Sequence, residues 1–121
     1  MAITDDLPRQ VFVWFKRDKS FWNILIVWMW WTLVNVFEDV SRRIWIISKN
    51  EIKTMLTELK FFPVLEWVRW QKWINFDKLI NIIFNLQFIF KEFTDITEID
   101  INPIISDENS SIVVDAKIYL N

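Results

Sequence analysis

The feature that most constrains this chain is its lack of glycine. Its 121 residues include no glycine and nine tryptophans, whereas average usage predicts about eight or nine glycines in a chain of this length. Turns between closely spaced strands normally depend on glycine, because it reaches positive φ at little cost. Tryptophans occur where such turns are expected, at 28–31 between two apolar runs and at 67–73 in a polar connection. This distribution indicates that tryptophan occupies the places of glycine.

A change in the genetic code accounts for such an exchange. If the gene comes from a lineage that decodes UGA as glycine, a translation table that assigns UGA to tryptophan writes tryptophan at every such glycine. The alternative is an aromatic-rich core or interface, although tryptophans spaced as turn residues are poor core material. The codons at the nine positions distinguish the two, since UGG codons there contradict the first interpretation.

The rest of the composition limits the possible chemistry. A net charge of -2 gives no reason to expect a nucleic-acid partner. Without cysteine or histidine the chain has no disulfide framework, no usual zinc ligand and no usual general base. At 121 residues it is one small domain or part of one, short for a complete nucleotide-using enzyme. Its first 20 residues do not have the order of a signal peptide, so we expect a cytoplasmic protein.

Residues 21–37 carry no charge and could be mistaken for a membrane span. The segment is at the short limit for a helix that crosses about 30 Å of hydrocarbon. Its β-branched composition fits buried strands better, and we expect no membrane association.

Hydrophobic patterning predicts three strands and two helices in the first three quarters of the chain. The strands are expected at 11–15, 24–28 and 32–37, as an antiparallel meander. A capping box in which Ser48 caps the first turn and Glu51 reaches back predicts a helix near 49–60, ended by Pro63. An Asn75 cap predicts a second helix at 76–93. Its apolar face comprises Leu79, Ile82, Ile83, Leu86, Ile89, Phe90 and Phe93.

The chain closes with two alternating segments that predict an antiparallel hairpin. A loop symmetric about residues 108 and 109 pairs Asn102 with Asp115, and Asp100 with Lys117. Directly opposed residues share a face with Cβ atoms about 4.5 to 5.5 Å apart, so an amide oxygen and a carboxylate converge. Such hard oxygen ligands suit Mg²⁺. The pairing alone favours a solvated polar face with an ordinary Asp100–Lys117 pair over a metal site.

Five motifs resemble those of one enzyme family. The sequence TEIDINPII at 97–105 and VDAKI at 114–118 closely resemble the terminal ELDINPL and DARI signature of the ATP-grasp subunit of ADP-forming acetyl-CoA synthetases. Upstream, KRDKSFW at 16–22 resembles KRDPxFG, WMWW at 28–31 resembles GLGG, and WVRW at 67–70 resembles GYRG. The same module occurs in related protein acetyltransferases. Seven tryptophans fall where the family has glycine, namely Trp14, Trp22, Trp28, Trp30, Trp31, Trp67 and Trp70.

The resemblance implies particular site residues. It assigns Asn102 and Asp115 to the Mg²⁺ that accompanies the nucleotide, and it implies no catalytic side chain within the chain. Gln10 and Asn35 fall at nucleotide-binding positions where the family has glutamate, and Phe61 replaces a family glycine. These departures raise the prospect of altered nucleotide or metal contacts.

The implied fold is α+β, the C-terminal half of an ATP-grasp domain over 1–121. It consists of a mostly antiparallel sheet, a three-strand meander plus the terminal hairpin, with two helices packed on it. The implied function is part of an ADP-forming acetate or acyl-CoA ligase that uses Mg²⁺ and ATP or ADP. Its partners are the missing N-terminal half and a CoA-binding alpha subunit or domain. Alternatives are a non-catalytic regulatory or interaction domain and the ATP-grasp part of a protein acetyltransferase.

Overall fold

The computed structural model describes residues 10–17, 23–29, 40–60 and 74–121. These residues form six strands and two helices, which we number in chain order. They are β1 (Gln10–Lys16), β2 (Ile24–Met29), β3 (Val40–Ile44), α1 (Lys49–Glu58), α2 (Phe76–Glu92), β4 (Ile96–Ser106), β5 (Ser111–Val113) and β6 (Ala116–Leu120).

All six strands join one antiparallel sheet. Its order is β3-β2-β1-β4-β5, and β6 also pairs with β4. The predicted α+β fold with a mostly antiparallel sheet and two helices is therefore confirmed. The first two predicted strands correspond to β1 and β2, whereas the third, at 32–37, lies outside the described residues. On the side away from β1, the strand that pairs with β2 is β3. Apolar patterning did not reveal β3 because two arginines interrupt it.

The sheet has two chemically different faces, because alternate strand residues point to opposite sides. Val11, Val13 and Phe15 of β1 point into the core. From the helices this core receives Ile52, Met55, Leu56, Leu79, Ile80, Ile83 and Phe90. We call the opposite side the open face. It carries Gln10, Phe12, Trp14 and Lys16 of β1 with their cross-strand partners, and within the described ranges neither helix packs on it.

Helix α1 begins as predicted and is fixed to β3 by an ionic network. The Ser48 hydroxyl accepts a hydrogen bond from the Glu51 amide at 3.1 Å. The expected capping box is not complete, because the Glu51 carboxylate accepts a hydrogen bond from Arg43 Nε at 2.7 Å. Arg43 also donates to Glu58, and Ser41 donates to Glu58 at 2.6 Å. The helix ends at Glu58, and the predicted terminator Pro63 lies outside the described residues.

This network shifts two pKa values. Hydrogen bonds from Arg43 and Ser41 hold the pKa of Glu58 below its usual 4.5, and the bond from Arg43 has the larger effect. Hydrogen bonds from Arg43 to Glu58 and to Glu51 raise the pKa of Arg43, and the bond to Glu58 has the larger effect. Both shifts favour the charged forms, so the pair stabilises the contact between α1 and β3.

Helix α2 has the predicted Asn75 cap, and it ends one residue before the predicted end at 93. Asn75 accepts from the Lys78 amide at 3.1 Å. The buried side is rotated from the predicted face, because Gln87 is fully buried while Ile89 and Phe93 are 43% and 58% exposed. Gln87 turns inward because its side-chain amide hydrogen-bonds to the backbone of Ile47, a residue that belongs to no strand. Its Oε1 accepts from the Ile47 amide at 2.8 Å and its Nε2 donates to the Ile47 carbonyl at 3.0 Å.

The C-terminal end of α2 is tied to the end of β1 by Arg17. Its guanidinium donates to the carbonyl oxygens of Phe90 and Ile96. It also lies 4.5 Å from the centroid of the Phe90 ring and 5.7 Å from that of Trp45. A cation at the last carbonyls of a helix complements its dipole. In the described part of the chain, neither helix is long and apolar enough to cross a membrane.

Candidate functional site

The terminal hairpin pairs in the register predicted from the sequence. Asp100 is opposite Lys117, and the amide of Asn102 donates to the carbonyl of Asp115 at 3.0 Å. Toward the loop, Ile105 pairs with Ile112. Asn102 and Asp115 are both exposed. The backbone thus brings together the two residues predicted to hold a metal.

A local irregularity distinguishes the Asn102 position from the rest of β4. Val11 pairs with Ile104 and Val13 with Ile101, so Asn102 and Pro103 together oppose the single residue Phe12. Such a bulge bends the strand and re-aims the side chains next to it. Asn102 lies two residues from Asp100 within this bulge, and Asp115 directly precedes β6.

The two predicted nucleotide-binding positions have different outcomes. Gln10 is half-buried at the start of β1 and pairs with Ile105 of β4. It shares the open face with Phe12, the residue that lies opposite Asn102 and Pro103. Asn35 lies outside the described residues.

The available ligands suit a hard cation that takes few of its ligands from the protein. One carboxylate and one amide oxygen, both open to water, match the way Mg²⁺ is usually bound, by one or two protein groups with water and substrate phosphates. Among the described residues no three carboxylate, imidazole or thiol side chains converge into a self-sufficient metal cage. The pair therefore fits a magnesium ion whose remaining ligands come from a nucleotide and water.

Besides the predicted Asp100–Lys117 pair, the open face carries charges that sequence motifs did not reveal. Directly paired residues form a row across the sheet: Arg42, Ile26, Trp14, Asp100 and Lys117. The next row contains the pair Lys16 and Glu98. Strand alternation combined with the correct pairing would have found these residues, but β3 was not predicted. Lys16 and Lys117 each lie opposite a carboxylate, whereas Arg42 lies opposite Ile26.

Three of the nine tryptophans lie in the described residues, and none of the three is in a tight turn. Trp14 is in β1 and Trp28 is in β2, both half-buried, whereas Trp45 follows β3 and is buried. Trp28 is therefore part of a strand, as the predicted strand at 24–28 required, and the turn expected at 28–31 does not begin at Trp28. Trp14 and Trp28 have the extended backbone of a strand, so a tryptophan at either position causes no strain from a positive φ.

Comparison with known proteins identifies relatives of this fold and sequence. Residues 3–120 match the family model described as an ATP-grasp domain. The chain is 36% identical over 114 residues to the acetate-CoA ligase (ADP-forming) I subunit beta of Pyrococcus furiosus, covering 94% of this chain and 49% of that subunit. It is 28% identical over 115 residues to the acetate-CoA ligase (ADP-forming) I of Archaeoglobus fulgidus, covering 95% of this chain and 17% of that protein.

A solved structure agrees with the sequence comparison. The chain superimposes with a TM-score of 0.82 and 26% identity on an acetyl-coenzyme A synthetase 1 of Candidatus Korarchaeum cryptofilum in complex with coenzyme A and Mg-AMPPCP. The match covers 93% of this chain and 53% of that chain. The chain thus spans about half the length of the subunits it matches, and it is homologous to the beta subunit of ADP-forming acetyl-CoA synthetases.

Proposed function

This chain belongs to the ATP-grasp domain family, and we propose that it supplies the magnesium-nucleotide face of an ADP-forming acyl-CoA ligase. The reaction converts an acyl-CoA, ADP and phosphate into a carboxylate, CoA and ATP. The named ligases among the relatives support this class of reaction. The Mg-AMPPCP in the Korarchaeum complex supports a magnesium-bound nucleotide as the ligand.

The observation that carries the proposal is the backbone hydrogen bond that joins Asn102 to Asp115, two exposed residues. We assign one oxygen of each side chain to the Mg²⁺ ion. When bound, the ion neutralises negative charge on the phosphates during phosphoryl transfer. Asp115 supplies the formal charge that holds the ion, and Asn102 orients it without adding a second charge.

The other residues of the open face bind and orient the nucleotide. Lys117 is next to Asp115, and Arg42 and Lys16 lie on the same side of the sheet, where their charges attract phosphates. Gln10 can donate a hydrogen bond as well as accept one, whereas a carboxylate at this position could only accept. Its expected effect is a change in nucleotide contacts and not the loss of the site.

The chain needs partners to complete the reaction. Because it spans 49% of the length of its Pyrococcus relative, we assign the remaining nucleotide contacts to an N-terminal ATP-grasp half. A CoA-binding alpha subunit or domain would supply the acyl group. The whole enzyme is expected in the cytoplasm.

A second candidate is a non-catalytic regulatory or interaction domain that keeps the ATP-grasp shape. Gln10 favours it, since a glutamine replaces the glutamate that the resembled motif has. The ATP-grasp part of a protein acetyltransferase remains a variant of the enzyme proposal, because it would use the same nucleotide face.

Restoring the missing half tests the enzyme proposal. The chain is expressed together with any ATP-grasp first half encoded in frame upstream and with a CoA-binding subunit, and ATP formation from acetyl-CoA, ADP and phosphate is measured. We expect turnover that depends on Mg²⁺ and falls when Asp115 is replaced by Asn. An assembled, folded complex that binds nucleotide without turnover would favour the regulatory candidate.

A further inference from the structure

The open face is apolar at the end where β1 begins. Gln10 pairs with Ile105, and Ile105 pairs with Ile112 across the hairpin, so the three residues form one row. The adjacent residues Val11 and Ile104 are fully buried in the core, which assigns the row to the other side of the sheet. Ile105 is 39% exposed and Ile112 is 59% exposed. We call these two side chains the isoleucine patch.

The isoleucine patch differs in charge from the rest of the open face. Further along the same strands, Asp100 pairs with Lys117, and Glu98 pairs with Lys16. Neither isoleucine is charged, and their neighbour in the row, Gln10, is neutral as well. The centres of protein interfaces are depleted of charged residues, and exposed apolar patches with polar residues around them mark interaction sites. The isoleucine patch therefore has the composition of a protein contact and not of a phosphate site.

A second group of exposed apolar side chains lies at the opposite end of β4. Phe93 and Leu120 are 58% and 70% exposed and line one cavity together with Ile96. Ile96 and Ile105 are nine positions apart in β4, or about 30 Å at the rise of a strand. Polypeptide that precedes β1 joins the sheet at Gln10, beside the isoleucine patch and far from the second group.

We propose that the isoleucine patch is a docking surface for the N-terminal half of the ATP-grasp domain. The inference rests on the proposed function, which assigns the remaining nucleotide contacts to that half. The matched region is 49% of the Pyrococcus subunit, so a similar length of polypeptide lies outside it. When that length precedes Gln10, it reaches the sheet beside Ile105 and Ile112. A half docked there lies within about 10 Å of Asn102 along β4, which lets both halves contact one magnesium-bound nucleotide.

An association measurement without nucleotide tests the surface. The half of the Pyrococcus furiosus subunit that lies outside the match is tagged and co-expressed with this chain, and the Kd of the purified pair is measured. We expect Ile112→Lys to weaken association about tenfold or more, because the contact would bury an unpaired charge. Ile118→Lys is the matched control. Ile118 is 55% exposed and lies opposite the buried Ile99, on the other side of the sheet, so this variant should associate as the parent does.

The outcomes of this measurement decide the proposal. No association of the parent chain with the tagged half, or equal weakening by the two lysine variants, overturns it. Self-association of the parent chain that Ile112→Lys abolishes assigns the patch to a second copy, and this also overturns it. Urea unfolding checks that each lysine variant is folded, and Ile112→Ala replaces Ile112→Lys if the lysine variant does not fold.

A titration of Mg-ADP into the assembled pair separates the docking surface from the proposed function. The pair is compared with and without Asp115→Asn, which should leave association unchanged. Association that depends on Ile112, with Mg-ADP binding that Asp115→Asn does not alter, keeps the docking surface and overturns the nucleotide face. Mg-ADP binding that Asp115→Asn weakens, in a pair whose association Ile112→Lys does not alter, keeps the nucleotide face and overturns the docking surface.

Discussion

The main-chain amide of Asn102 donates to the main-chain carbonyl of Asp115 at 3.0 Å, across the terminal hairpin. This bond joins two exposed residues that are 13 positions apart in the sequence. It fixes their relative position through the backbone, so substitutions that change only the side-chain atoms can test metal binding with little effect on the fold.

The first prediction concerns this pair. In the assembled enzyme, Asp115→Asn removes a charge from the magnesium site but preserves its shape, so the Mg²⁺ concentration needed for half-maximal turnover should rise about tenfold or more. Asn102→Ala should act in the same direction. Because both groups serve one ion, the double variant should lose less than the sum of the two single losses.

A matched control accompanies this titration. Asp95 is an exposed aspartate in the turn before β4, so Asp95→Asn makes the same chemical change away from the pair and should leave the Mg²⁺ dependence as it is. If Asp115→Asn and Asn102→Ala also leave it unchanged, the hairpin is a solvated polar face.

The hairpin and the helices could be predicted because their determinants are local. Loop symmetry alone fixed the pairing of Asp100 with Lys117, and the loop is closed by Asp107, whose Oδ1 accepts from the amides of Asn109 and Ser110, each at 2.8 Å. The caps Ser48 and Asn75 were recognisable for the same reason, since a capping side chain bonds within its own first turn.

The features that escaped prediction depend on residues distant in sequence. The side chain of Gln87 is buried because it bonds to Ile47, 40 residues away, and no periodicity in α2 reveals such a partner. Strand β3 carries Arg42 and Arg43, and it is a strand because β2 and α1 offer it backbone and carboxylate partners. The position of Arg42 on the open face depends on the pairing of β3 with β2 and was out of reach for the same reason.

The second prediction is a pH dependence of stability caused by Glu58. Its folded-state pKa is lower than its usual 4.5, so its contribution is fully present above that value and is lost as the pH falls through the folded-state pKa. Between about pH 6 and about pH 3, the unfolding free energy of Glu58→Gln should therefore fall less than that of the parent. The effect should be roughly 1 kcal/mol or less, because the Glu58 side chain is 43% exposed and water screens the ion pair.

Urea unfolding at the two pH values measures this difference. Glu92→Gln, at the exposed end of α2, is the control for loss of a carboxylate and should follow the parent. A Glu58→Gln curve parallel to that of the parent at both pH values would contradict the assignment.

The third prediction concerns the buried amide of Gln87. Gln87→Leu keeps a side chain of similar size but leaves the amide and carbonyl of Ile47 without their partner, and should lower the unfolding free energy by about 2 to 4 kcal/mol. Denaturant unfolding is the measurement. Asn85→Leu, at an exposed position of the same helix, should change stability by about 0.5 kcal/mol or less. Equal effects of the two substitutions would show that the Ile47 bonds contribute nothing.

The last prediction separates Trp45 from the tryptophans that resemble displaced glycines. Trp45 is 8% exposed, its ring centroid lies 5.0 Å from that of Phe90, and it is not one of the seven positions where the resembled motifs have glycine. Trp45→Gly should leave a cavity and lower the unfolding free energy by about 3 to 5 kcal/mol. Trp45→Phe should change it by only about 1 kcal/mol, because it also removes an indole nitrogen that has no hydrogen-bond partner among the described residues. A chain with glycine at 73 and at the seven positions but tryptophan at 45 should accordingly unfold at higher denaturant than one with glycine at all nine. We expect UGA codons at the seven and UGG at 45, which removes position 45 from the proposed exchange. Equal stability of the two chains would contradict this distinction.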